Sequence, residues 1–163
     1  MEHDKLLRQQ LAKTIDWNEA HADLSAAVKD FPAKLRGQAP DGMPHSAWQL
    51  LEHIRLALWD ILEFSRDARH KSPKWPEGYW PKTAAPPSDK AWNDSVKAIL
   101  KLQEEFRELV SDPSHDLFKP LPHGEGQTLL REVLLAADHG AYHLGQLVLV
   151  RRALGAWKGQ AQS

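Results

Sequence analysis

Eleven prolines punctuate this chain, in runs from Pro32 to Pro44, Pro73 to Pro87 and Pro113 to Pro122, and they leave four proline-free stretches between and around them. Proline inside a helix removes a hydrogen bond and clashes with the preceding turn, so those stretches are where long helices can form. Within each, apolar residues recur every three or four positions, which is the helical period and not the strand one. The first stretch predicts a helix from about Asp4 to Asp30, with Leu7, Leu11, Thr14, Asn18, His21, Ser25 and Val28 on one unusually polar stripe. Phe31-Pro32 and the turn residues from Gly37 to Pro44 end it. A second helix is expected from Ser46, where Ser46-Ala47-Trp48-Gln49 reads as a capping box, to about His70. Its inner face carries Leu50, His53, Ile54, Ala57, Asp60, Ile61 and Phe64, apolar apart from His53 and Asp60.

The third helix is expected from Ser88 or Asp89 to Pro113, marked by Trp92, Val96, Ile99, Gln103, Phe106 and Val110, and the fourth from about Gln127 to Trp157. Between the second and third helices lies a proline-rich, aromatic stretch, Ser72 to Pro87, which reads as a long ordered loop because Trp75, Tyr79 and Trp80 need something to pack on. About 17 extended residues reach roughly 55 Å, whereas a 24-residue helix is about 36 Å long. The reading is therefore all-α: a single domain, residues 1–163, built as a four-helix bundle with one long crossover between helices 2 and 3.

Composition narrows the function classes. With no cysteine, disulfides, thiolate zinc sites and thiol nucleophiles are excluded, and any metal must rest on nitrogen and oxygen. Lys+Arg 21 against Asp+Glu 22 leaves no bulk positive field for a nucleic-acid backbone. No stretch has the apolar length of a membrane span, and the expected setting is soluble and cytoplasmic, with no nucleic-acid or membrane partner.

Nine histidines offer the chemistry. His139 and His143 are four apart in a helical stretch, so their side chains leave one face a turn apart, as a chelating pair. A helix alone cannot complete a ligand shell, and His53, on the buried face of its own helix, is the best third ligand. Three imidazoles leave a coordination position open for water or a thiol, the arrangement of a catalytic metal. The alternative stands beside it: an i, i+4 pair arises by chance in a histidine-rich helix, and a buried histidine is often a hydrogen-bonded core residue.

The run Asp138-His139-Gly140-Ala141-Tyr142-His143-Leu144-Gly145-Gln146-Leu147 resembles the HxxxHxGQ(L/I) signature in the final helix of the DinB-like superfamily of metalloenzymes. Leu50-Leu51-Glu52-His53-Ile54 matches the place of that family's third histidine. The resemblance implies a four-helix bundle binding a divalent metal, zinc or nickel first and iron next, on His53, His139 and His143. It also implies a small-molecule substrate, a low-molecular-weight thiol as a candidate co-substrate, and a homodimer. Gln146 then either orients a ligand bound at the site or bonds across the bundle, and Gly145 marks a close helix approach or room for a ligand.

Asp60, two turns beyond His53, is the candidate catalytic carboxylate: it could hold a ligand imidazole in one tautomer or act as a base, or instead form a buried bond to Arg151 or Arg152. His45 and His123, in loops beside proline, could border the site, as could Asn18 and His21; His3, His70 and His115 are expected in solvent. Trp75, Tyr79 and Trp80 read as a lid over the metal or as a cap on the core above Trp48 and Trp59. Two functions remain: a metal-dependent transferase or hydrolase, or a non-catalytic metal-binding or stress-related dimeric module.

Overall fold

A computed structural model describes residues 2–157; residue 1 and residues 158–163, the ends of the expected domain, lie outside the described residues. The helices are α1 (Glu2–Thr14), α2 (Leu24–Val28), α3 (Ala47–Arg66), α4 (Asp89–Ser111) and α5 (Leu129–Ala153), with 3-10 turns at Ala33–Leu35 and Glu77–Tyr79. The four long ones form a helical bundle. Among the described residues none is long and apolar enough to cross a membrane.

The second helix starts where the sequence places it. The Ser46 hydroxyl accepts from the Gln49 amide at 3.2 Å and the Gln49 side chain accepts from the Ser46 amide at 3.0 Å, satisfying two orphan donors of the first turn. Leu50, Leu51, Ile54, Leu58, Ile61 and Leu62 of α3 are all buried, each contributing about 1.5–3 kcal/mol of gross transfer energy. Trp92, Ile99, Phe106 and Val110 of α4 meet them, with Val133, Leu147 and Val150 of α5.

The first helix is shorter than its periodicity predicts. It stops at Thr14, whose hydroxyl bonds back to the Leu11 carbonyl at 2.7 Å, and the polar run Asp16-Trp17-Asn18-Glu19 leaves the helix. Such side chains compete with the backbone for its own hydrogen bonds. Asp23 then caps α2 by accepting from the Ala26 amide at 2.7 Å. The ends of the other helices move less: α3 closes at Arg66 rather than near His70, and α5 closes at Ala153, before Gly155 at φ 67°.

Side-chain pairs give the helix directions. Glu52 meets Ser95 and Arg66 meets Glu105, so α3 and α4 run parallel. His53 meets His139 and His143 while Phe64 meets His123 ahead of α5, so α3 and α5 run antiparallel. The segment 67–88 therefore travels back along α3 before α4 begins. Gly78 makes this path possible: a Cβ there would stand 2.5 Å from the Pro73 Cβ.

Two buried arginines tie the bundle at carbonyl clusters. Arg8 donates to the carbonyls of Val110, Asp112 and His115 at 3.0, 3.0 and 2.8 Å, in and just beyond the last turn of α4. Arg151 donates to Ala26, Ala27 and Lys29 at 2.9, 2.8 and 2.6 Å, and to Ala156 at 3.0 Å, holding α2 against α5. A cation at helix C-termini answers both the orphan carbonyls and the dipole. Replacing Arg151 by Leu should lower stability by roughly 3 kcal/mol, because several buried acceptors lose a charged donor together; the midpoint and slope of urea unfolding measure it.

Candidate metal centre

The antiparallel pairing of α3 and α5 converges three imidazoles. His53 and His143 are buried and His139 is partly buried. The His53 Nε2 stands 3.0 Å from the His143 Nε2 and 3.1 Å from the His139 Nε2, and one ring nitrogen of each lies within 4.8 Å of the others.

The hydrogen bonds of His53 and His143 decide which of their nitrogens carries the proton. The His53 Nδ1 is 2.8 Å from the Tyr79 carbonyl oxygen, which only accepts, so Nδ1 is protonated and Nε2 presents a bare lone pair. The His143 Nδ1 faces the Gln146 Oε1 at 3.2 Å, which assigns the same tautomer there. Two lone pairs then point at one another with no hydrogen between them, an arrangement that repels unless a cation separates them. Metal–nitrogen bonds of about 2.0–2.1 Å put neighbouring ligand nitrogens about 3 Å apart, so this donor set fits a divalent ion.

Burial favours the neutral rings that a metal needs. Desolvation first, then the nearby histidines, lowers the pKa of His139 from 6.5 to about 4. Desolvation and His53 likewise lower His143 to about 4, and His53 is lowered chiefly by burial.

The segment 67–88 supplies the support around these rings. Trp80 stacks on His53 with ring centroids 3.9 Å apart and planes 2° from parallel, and it also stacks on His45 at 4.1 Å. The Tyr79 hydroxyl donates to the Asp60 Oδ2 at 2.6 Å, and burial together with this bond raises its pKa to about 12. His70 donates to the Asp60 Oδ1 at 2.7 Å. Asp60 thus anchors Tyr79, and the Tyr79 carbonyl in turn sets the His53 tautomer.

The structure places the expected residues unevenly. His53, His139 and His143 come together, and Gln146 reaches His143. Asp60 touches none of the three imidazoles and bonds neither Arg151 nor Arg152, since Tyr79 and His70 take its oxygens. His70, expected in solvent, is instead buried on Asp60 beside Trp59, because the chain doubles back after Asp67. His45 borders the site, whereas His123 donates to the Phe64 carbonyl at 2.7 Å near the far end of α3. Asn18 and His21 lie in the segment between α1 and α2, and His21 lines a separate cavity of about 430 Å³ that contains none of the three histidines. Of the aromatic trio, Trp80 lies on the site, Tyr79 supports it and Trp75 is 68 % exposed. Sequence reasoning missed the Tyr79 carbonyl altogether; the density of aromatics among the prolines was the available signal.

Beside His143 opens a cavity of about 400 Å³, lined by Met43, His45, Leu50, Tyr142, Gln146 and Leu149 among others. Its wall is largely apolar and, among the described residues, contains no Lys or Arg.

Two outcomes test this centre. Asp60→Ala should weaken divalent-metal affinity about tenfold by releasing Tyr79 from its anchor, as loss of a ligand's supporting bond typically does; competition against a chromophoric chelator reads it, and unchanged affinity would show that Tyr79 is held otherwise. In metal-free protein, unfolded histidines take up protons near 6.5 while His139 and His143 resist until about 4. Their contribution to stability is complete above about 6.5 and is lost as pH falls towards 4. Thermal midpoints of chelator-treated protein should fall across that window, less steeply in His143→Ala.

A family model described as the DinB superfamily matches residues 16–147. Comparison with curated proteins and with solved structures gives no match.

Proposed function

The chain belongs to the DinB superfamily, and from that premise we propose that it is a metal-dependent enzyme acting on a small, uncharged and largely apolar electrophile. The observation that carries the reading is the convergence of three imidazoles in which the facing Nε2 atoms of His53 and His143 have no hydrogen between them. His53, His139 and His143 would hold the ion, with zinc or nickel suited to all-nitrogen ligation and iron next. A divalent ion in such a site supplies Lewis acidity and lowers the pKa of a coordinated nucleophile towards neutrality.

The chain's own residues do the rest. Tyr79 and Gln146 keep the Nδ1 protons of His53 and His143 away from the metal side, and Trp80 covers the His53 ring against water. Three ligands from two helices leave the remaining coordination positions open. The neighbouring cavity then receives the substrate against Met43, Leu50, Tyr142 and Leu149. His45 is driven towards its neutral form by burial, so it adds no positive charge to that wall.

This wall distinguishes two nucleophiles. An anionic low-molecular-weight thiol would find no lysine or arginine among the described lining residues to pair with, which favours water, and hence hydrolysis, over thiol transfer. Asp60 serves as a positioning residue through Tyr79 and not as the base.

Elemental analysis of purified protein should find about one divalent ion per chain, falling to background in His143→Ala. The metal-loaded protein should cleave neutral apolar esters or amides in the absence of any thiol. Turnover that appears only when a thiol is added would establish the transferase instead. Bound metal with neither activity would establish the non-catalytic binding module.

A further inference from the structure

The cavity of about 430 Å³ that His21 lines is walled by the segment between α1 and α2 together with residues of α3, α4 and α5. Its volume falls within the roughly 300–1,000 Å³ of small-molecule sites. Ile54, Gly140 and Leu144 line it, and they directly follow His53, His139 and His143 in the chain. Successive helical residues point about 100° apart, so this cavity and the histidine cluster use different faces of α3 and α5. Gly140 keeps the space open. A Cβ built there meets no atom within 4 Å, so no close packing requires a glycine, although one costs about 1 kcal/mol in a helix interior relative to alanine.

The lining joins an apolar floor to polar atoms that can only accept. Ile15, Leu24, Ile54, Ile99 and Leu144 form the floor. Gln103 donates through Nε2 to the Ile15 carbonyl at 3.4 Å, which leaves its Oε1 for a ligand. Asp23 accepts the Ala26 amide on Oδ1 at 2.7 Å, and its Oδ2 has no partner among the described residues. The His21 Nδ1 stands 3.1 Å from the Ala22 carbonyl, so the Nε2 of the neutral ring is an acceptor. Asp16 is paired with Arg107, whereas Asp138 is exposed and has no ion pair among the described residues. Among those residues no lysine or arginine lines the cavity.

Such a lining calls for a ligand that donates and carries positive charge. The acceptors do not gather around an ion, because among the described residues the histidine cluster is the one group close enough to hold a metal. An organic cation meets both demands, with its body on the floor and its ammonium at the acidic rim. Trp17, 42 % exposed at that rim, offers an aromatic face to the charge. We propose that this cavity is a second ligand site, separate from the metal centre, for a primary ammonium compound with an aromatic body. Its occupation needs neither bound metal nor turnover at the histidines.

Isothermal titration of the full chain at pH 8 with tryptamine as the probe should give one site per chain. Indole-3-propionate, similar in size and opposite in charge, should bind at least about tenfold more weakly. Asp138→Lys should cut the ratio of the two affinities about tenfold or more. Gly140→Leu should abolish tryptamine binding with an unchanged or higher thermal midpoint, because the new side chain enters the cavity and the helix loses a glycine. His143→Ala should bind tryptamine as the wild type does. Failure of tryptamine to bind at millimolar concentration overturns the proposal, as does equal binding of the propionate. Binding that survives Gly140→Leu, or keeps its full charge preference in Asp138→Lys, overturns it too. Loss of binding in His143→Ala would put the probe on the histidines and refute a separate site.

Discussion

The bond from the His53 Nδ1–H to the Tyr79 carbonyl is the interaction on which the functional end of this molecule depends. It turns a buried histidine from an ordinary hydrogen-bonded core residue into a ring whose second nitrogen has a lone pair and no proton. The His143 Nε2, its own proton held at Nδ1 by Gln146, faces that same nitrogen, so this pair of lone pairs repels by itself and is favourable around a cation. The proposed metal binding rests on this placement of protons more than on the mere proximity of three rings.

The architecture serves that bond. Because α3 and α4 run parallel, the chain must return along α3 between them, and this return lays Tyr79 and Trp80 over the start of α3. Asp60, two turns further along, fastens the segment through the Tyr79 hydroxyl, and His70 occupies its other oxygen. A loop that looks in sequence like a connector therefore forms one wall of the site. An apolar cavity opens beside His143, lined in part by the same His45 that stacks on Trp80 and, among the described residues, by no lysine or arginine.

Burial of the imidazoles lowers their affinity for protons and leaves them available to a metal at neutral pH. The same burial makes the metal-free site costly under acid, since unfolding would release rings that then take up protons. Function and stability thus draw on the same three side chains in opposite directions, a common state of affairs where a site is preorganised for a charged ligand.

Local physics made much of this protein legible from the sequence alone. Proline placement and the helical period gave the all-helical class and most of α3, α4 and α5, and the capping box placed the start of α3, because those signals act between residues a few positions apart. His139 and His143 were readable as a pair for the same reason, and the family signature pointed to His53. What lay beyond sequence reasoning was decided between distant segments. The periodicity past Thr14 gave way where Asp16 paired with Arg107 of α4. His70 looked like a solvent residue until the returning chain buried it on Asp60. The Tyr79 carbonyl carries no side-chain signature at all, so its role in setting the His53 proton could come only from the tertiary path of the backbone. Helix identity is a local free-energy balance, whereas the protonation of a buried ring depends on which distant group the fold brings within hydrogen-bonding reach.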